Sequence, residues 1–392
     1  MEQGFELLPP EEVAALGRAA LLRSARQVAE LLALVYRRQP GEDALAAEAR
    51  QLAEDAVAGR VRLFLLLDGR GEVVATTRYT LVEPLFEDGP VRYELGRTGK
   101  RPGARPGLAA ALLDARVPWA REHLPEADHL VTHTRVALNR PGRPPVGPVI
   151  GSQLAQGFTA THAVHSHIVA RTAAEPFVAT FAPRDPTSWR ASARQHPLRL
   201  PDGPDYGLLA AMWTETTGVG AAPLPPAGCG TSAGATSAAA TEAAATGAAV
   251  TGAASGLVTL HQLAAPSATV ESLHLLSARP PRGGRPVPEV PARVGPDGAY
   301  ASTGLSDRVV VEDDVLGAPD AALHLDRLHR SGFRPAGWAP SHQRAGRPAL
   351  VLTRPGSLPG PATSVAHADL RAFARLPSTG RFLAHVLSHR PS

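Results

Sequence analysis

Apolar residues recur at helical spacing through residues 11–36 (EEVAALGRAALLRSARQVAELLALVY) and again through 42–58. This predicts two amphipathic helices, with Gly17 a break in the first. The period then changes. Residues 61–84 read as an apolar run, a turn on Asp68-Gly69-Arg70-Gly71 and a Val/Thr-rich run, which predicts a β-hairpin. Val91, Tyr93 and Leu95 alternate as a strand that runs into a glycine-rich basic loop. That loop opens a helix over 107–123, in which Pro118 predicts a kink. A strand over 129–138, a proline-rich loop, a short helix over 149–156 stopping at Gly157-Phe158, and a strand over 160–170 follow.

After a connecting segment at 186–214, residues 215–256 collapse to Ala, Thr, Gly and Ser. A flexible linker is expected there, since the interspersed Gly and Thr oppose an alanine-rich helix. Beyond it, 257–265, 270–278 and 308–317 read as strands. A helix over 320–331 ends at Gly332-Phe333, an apolar strand occupies 349–354, and 365–388 reads as one helix. The order strand, polar turn, proline, helix, Gly-Phe, strand thus occurs twice, which fits either two related half-domains or ordinary glycine C-caps. The organisation read from this is a first domain over 1–185, the connection at 186–214, the linker at 215–256 and a C-terminal half over 257–392.

Composition narrows the partners. With 392 residues, 44% hydrophobic and 19% charged, the chain supports two domains or one elaborated one. Its formal charge is only +4 and its basic residues are scattered, which suits small anionic ligands; no nucleic-acid partner is expected. One cysteine, Cys229, lies in the low-complexity stretch, a reducing-compartment pattern. The N-terminal stretch lacks a signal-peptide core, and nothing approaches the ~20 apolar residues of a membrane span. A cytoplasmic protein is expected.

The chemistry concentrates in Val91–Arg116. Strand, glycine-rich loop and helix in that order build an anion site. Backbone N–H groups and the helix N-terminus supply partial positive charge, while Lys100, Arg101 and Arg105 supply full charges. Lys100 is the chain's single lysine.

Together, these elements over the first ~185 residues resemble the GNAT superfamily of acyl-CoA N-acyltransferases. The resemblance implies an α/β (α+β) fold with a mixed central sheet flanked by helices, and the C-terminal region resembles a second, degenerate half without the loop. Tandem arrangements of this kind occur in acyltransferases of specialised metabolism and in Fem-like aminoacyltransferases. The implied cofactor is acetyl-CoA or another acyl-CoA, and the implied partner a small-molecule amine acceptor.

The family loop runs Arg/Gln, two residues, Gly, one residue, Gly/Ala, then a helix ending in a Leu-Leu-like pair. Anchored on Leu112-Leu113, it places Gly107 and Ala109 at the small positions. Its Arg/Gln position falls on Ala104, with Arg105 one residue late and Arg101 three early. By this resemblance Arg101, Gly103, Arg105, Gly107 and Ala109 hold the pyrophosphate, and the strand around Leu95 and Gly96 pairs with the pantetheine arm. Asn139 is either a cofactor contact or a turn cap.

Glu94 is either a general base or an ion-paired strand glutamate. Where relatives carry a tyrosine acid before Gly-Phe, this chain has Ser152, either a thiol partner or a surface serine. Among the histidines, His165 is the candidate base in the acceptor pocket. No HExxH or CxxC pattern accompanies them, and no metal is expected. Glu312-Asp313-Asp314 either holds a cationic amine or caps a turn, and Trp338 is read as core. Ser341-His342 is set aside as a dyad because neighbours on extended backbone point apart. N-acyl transfer to a small amine is the leading reading. A catalytically idle module that binds CoA esters and a Fem-like aminoacyl-tRNA-dependent transferase are the alternatives.

Overall fold

The structure, a computed structural model, describes residues 5–35, 38–105, 107–135, 149–166, 175–226, 259–263, 273–277, 289–290, 299–300, 308–354 and 371–388. The chain begins with β1 (Glu6–Leu8), α1 (Pro10–Ala14), α2 (Arg18–Val35) and α3 (Glu42–Val57). Then come β2 (Val61–Leu67), β3 (Val73–Val82), β4 (Arg92–Lys100), α4 (Leu108–His123), β5 (His129–Arg135), α5 (Val149–Ala155), β6 (Thr159–Ser166) and β7 (Glu175–Pro183). The connection holds α6 (Pro186–Gln195), β8 (Arg199–Leu200), α7 (Pro204–Thr217) and β9 (Ala222–Pro223). The C-terminal half holds β10 (Thr259–Leu263), β11 (Leu273–Ser277), β12 (Glu289–Val290), β13 (Arg308–Val311), α8 (Asp313–Leu316), α9 (Ala321–Arg330), β14 (Arg334–Pro340), β15 (Pro348–Thr353) and α10 (Pro377–Ser388).

One 13-stranded sheet runs β1-β2-β3-β4-β5-β7-β6-β14-β15-β13-β11-β10-β12. In the first half β3 and β4 pair antiparallel, β4 and β5 parallel, then β5–β7 and β7–β6 antiparallel. The second half follows the same senses in mirror order: β10–β11 antiparallel, β11–β13 parallel, β13–β15 and β15–β14 antiparallel. The halves meet where β14 lies antiparallel to β6, Gly337 opposite His162.

Period-2 alternation sorts the first half into two layers. Leu63, Leu65 and Val73 pack under α2 and α3 with Leu21, Val28 and Leu32. Phe64, Tyr79, Tyr93 and Leu95 point the other way, against Leu112 and Val117 of α4. A third core crosses the junction and holds Phe181, Trp189, Trp213 and Trp338. Trp338 stands edge-on to Trp213 at 5.0 Å and stacks on Trp189 at 5.9 Å, which makes it a core residue. Rings of this size bury roughly 150–250 Å² each, so the cluster is a major apolar anchor of the junction.

The structure revises several expectations. The basic stretch Gly96–Lys100 is strand, paired with β3 through Thr76↔Gly99 and Ala75↔Lys100, so the loop before α4 shrinks to 101–107. The connection at 186–214 carries two helices. The first starts on Asp185, whose carboxylate accepts from the Thr187 and Ser188 amides, with Pro186 in the first turn. Helix α7 runs through Thr217 and β9 follows, so the first residues of the stretch read as linker are structured; 227–256 lie outside the described residues. At the C-terminus the helix covers Pro377–Ser388 rather than 365–388, with a 3-10 turn at Arg371–Phe373 before it. Among the described residues no helix is long and apolar enough to cross a membrane.

Candidate functional site

Helix α4 begins on Gly107, which sits at φ 94 and has no heavy atom within 4 Å of where a Cβ would be. No side chain caps the helix and its first turn carries no acid, so the leading amides of α4 are open to an anion. Gly103, at φ 79, is equally open. The loop's charges are arranged differently from expectation. Lys100 Nζ donates to the carbonyl of Ala104 at 2.9 Å, tying the loop down. Arg101 pairs with Glu72 at 2.8 Å on the hairpin. Arg105 is exposed.

Strands β4 and β5 part company. Their parallel pairing runs from Arg92↔His129 to Leu95↔Thr132 and stops, although β4 continues to Lys100 and β5 to Arg135. Past Leu95, therefore, β4 keeps β3 on one side while its ladder with β5 has ended. A bulge falls at the same place: the β3 register shifts between Arg78↔Gly96 and Thr76↔Gly99. Arg97 in the bulge has φ 52, the single non-glycine positive φ among the described residues, a conformation that costs about 1–2 kcal/mol. Arg116 of α4, buried to 2%, holds the bulge from beneath by donating to Thr77 and Thr98 hydroxyls, both at 3.2 Å. Burial lowers the Arg116 pKa to about 10.

Alternation along β4 splits the predicted residues. Leu95 is core on the α4 side. Glu94 and Gly96 share the opposite face with Arg92. Glu94 is buried, and its Oε1 lies 3.7 Å from His133 Nδ1. The His133 ring meets His162 of β6 edge-on at 5.8 Å. His162 Nδ1 approaches the Trp338 carbonyl at 3.3 Å, which fixes a proton on that nitrogen. Burial pushes the His129 and His162 pKa values well below the ordinary imidazole value, with Arg92 adding to the effect on His129 and His133 to that on His162.

The C-terminal half reaches the same face. Glu312 is wholly buried; it accepts from the Ser341 hydroxyl, from the His342 backbone N–H at 2.9 Å, and lies 3.0 Å from His342 Nδ1. Ser341 and His342 therefore make no dyad but share one carboxylate. Desolvation raises the Glu312 pKa to about 7, against the lowering effect of these hydrogen bonds and of Arg92. The rest of the acidic triple is structural: Asp313 pairs with Arg347, and Asp314 accepts from the Val315 amide and from Gln343.

Ser152 does not face the sheet. It lies 3.4 Å from Gln156 Nε2, which also donates to the Leu113 carbonyl of α4. The α5 side chain that reaches the strands is Gln153, 1% exposed and hydrogen-bonded to Thr134 of β5 and Thr180 of β7. Sequence reasoning missed it; its signal is a glutamine set at the buried spacing of a short helix. Ala109 lies in the first turn of α4. Asn139 and the side chain of His165 lie outside the described residues. Among those described, His133 is the histidine brought to Glu94, and no group of His, Cys, Asp and Glu could hold a metal ion.

Several solved structures resemble this half. The ribosomal-protein-S5-alanine acetyltransferase of Vibrio fischeri gives a TM-score of 0.35 at 11% identity, over 47% of this chain and 96% of that one. A spermidine N-acetyltransferase chimera from Vibrio cholerae and hSSAT gives 0.33 at 13%, over 46% and 95%. The ribosomal-protein-S18-alanine N-acetyltransferase of Escherichia coli gives 0.32 at 14%, over 46% and 95%. No protein-family model and no curated protein matches the chain. The N-terminal half has three helices, a hairpin, a parallel strand pair that parts past Leu95 and a glycine-led α4 in this order.

Proposed function

We propose that the protein is a cytoplasmic acyl-CoA-dependent N-acyltransferase that acylates the amine of a small metabolite. One observation carries the reading: the gap between β4 and β5 opens with Glu94 buried on one face and the uncapped N-terminus of α4 just beyond. The residues fit coenzyme A. Gly103, Gly107 and the amides of Leu108–Ala110 would hold its pyrophosphate, and β4 at Gly96, where its ladder with β5 has ended, would pair with its amide arm. Bound there, it supplies an acyl group activated as a thioester.

Glu94 would take the proton that the acceptor nitrogen sheds as the amide bond forms and the thioester C–S bond breaks. His133 would pass that proton outward, and the departing thiolate would take up a proton from water and leave as free coenzyme A. Backbone N–H groups of the bulged strand steady the negative charge that develops on the acyl oxygen. The C-terminal half, through Glu312 and His342, closes the acceptor side. Acetyl-CoA is the simplest donor.

Calorimetry with coenzyme A tests the binding part. Binding is expected, and Arg105→Ala should weaken it by about 1.5–3 kcal/mol, the scale of a lost charge-assisted hydrogen bond. Arg101→Ala, whose partner is Glu72, should change it little. Failure of acetyl-, malonyl- and longer acyl-CoA to bind overturns the proposal. The absence of a tyrosine from α5 favours a second reading, a CoA-ester-binding module without turnover. Mass spectrometry of an amine panel incubated with protein and acetyl-CoA separates the two.

A further inference from the structure

Three nitrogens on the Glu94 face have no hydrogen-bond partner. Arg92 and His129 stand side by side as register partners on β4 and β5, and parallel partners share a face. Glu94 and His133 lie further along the same face, two and four residues on. Arg92 is 8% exposed and His129 4%. Arg92 Nε, His129 Nε2 and His133 Nδ1 are all sealed from solvent without a hydrogen-bond partner. No ion pair of the Arg92 guanidinium forms among the described residues. Glu312 and Glu94 act on it only through space, Glu312 the more strongly, while burial lowers its pKa to about 10.

Glu312 does not serve as the missing partner, because its oxygens are taken by Ser341 and His342. A guanidinium is a planar fork that matches a carboxylate with two parallel hydrogen bonds, and a buried one left without an anion is unfavourable. A ligand that brings a carboxylate would remove that penalty. The neighbourhood also selects for a second charge. Glu94 lies two residues from Arg92, about 6.6 Å of strand rise, with the opposite sign. A cation site and an anion site at this spacing are complementary to a short zwitterion.

We propose that this seam is a subsite for a short amino carboxylate, in which Arg92, flanked by His129 and His133, binds the carboxylate and Glu94 receives the amine. This names the acceptor class for the acyl transfer proposed above and rests on that reading for its role. The binding itself stands on the unpartnered nitrogens. The seam lies between the halves, since the Glu312 and His342 charges that act on Arg92 and His129 come from the second half.

The test is calorimetry and thermal melting of the whole chain with glycine, β-alanine, L-alanine, L-serine and 4-aminobutyrate, each beside its amide, with coenzyme A titrated separately. At least one free amino acid should bind tenfold or more tightly than its amide and raise the melting temperature. Arg92→Met should reduce that preference to within twofold while melting no lower than the natural protein, because it removes a buried unpaired charge. Arg92→Lys and His129→Asn should each reduce the preference part-way, and they serve should Arg92→Met not fold. Amino acids and amides binding within twofold of each other, none binding, or a preference that survives all three substitutions overturns the proposal. Coenzyme A binding without the preference would sink the subsite alone. The preference without coenzyme A binding would sink the transfer reading and leave the subsite.

Discussion

Glu94 reached its position by the simplest rule of strand geometry. Tyr93 and Leu95 are committed to the apolar α4 side, so the residue between them must face the other way, where a buried carboxylate needs company and finds His133. Glu94→Gln keeps the shape and removes the proposed proton acceptor. Turnover should fall about 10²–10⁴-fold, the usual worth of a general base, while the dissociation constant for coenzyme A stays unchanged. Steady-state kinetics beside calorimetry would show the split. A fall in both would make Glu94 part of the framework instead. Lys100 teaches the converse: the single lysine of a basic loop looked like a ligand contact and is a loop tie.

Strands β5 and β6 carry two imidazoles into the interior, and their burial sets an acid limit. His129 and His162 have folded pKa values well below their unfolded value near 6.5, so the unfolded chain binds protons that the folded chain refuses. The stability from this source is full above about pH 6.5 and declines as pH falls below it, by about 1.4 kcal/mol per unit for each histidine. Glu312 has the opposite sign. Its pKa is raised to about 7, so it gains as pH falls from there to 4.5, and its partner His342 cancels that gain. A net loss of stability as pH falls from about 6.5 to about 5.5 is expected in urea unfolding, and His162→Gln should reduce it. A flat profile would mean that the imidazoles are not held neutral.

At this scale the sequence was readable where one local pattern decides the element. The hairpin at 61–84 follows from its alternation and from Asp68, whose carboxylate accepts from the Arg70 and Glu72 amides. Helix α4 follows from its glycine start. The end of β4 was not readable, because Gly96–Lys100 has loop composition and is held by backbone pairing that leaves no side-chain signature. Helices α6 and α7 were missed although Asp185-Pro186 carried a start signal. The Glu312 cluster depends on contacts across 29 and 30 residues of chain, and Arg92 acquires its meaning only once β4 and β5 are side by side.

Across the whole molecule the two halves are joined by backbone at very close range. Gly337 of β14 sits at φ 145, and a Cβ there would overlap the Thr161 carbonyl and the His162 Cα. Gly337→Ala should cost on the order of 3 kcal/mol, combining a strained backbone with overpacking. Because the strain falls on the join, chemical denaturation should turn from one transition into two; an unchanged single transition would show that the join tolerates it. The junction has a further effect. Strand β6 ends the first half's own pairing order, and β14 is what covers it. Lifted out alone, the first half would present the outer edge of β6 as bare backbone, a template on which a second copy could pair. The second half thus shields the first from self-association, which ties the solubility of the first half to a strand about 175 residues further along the chain.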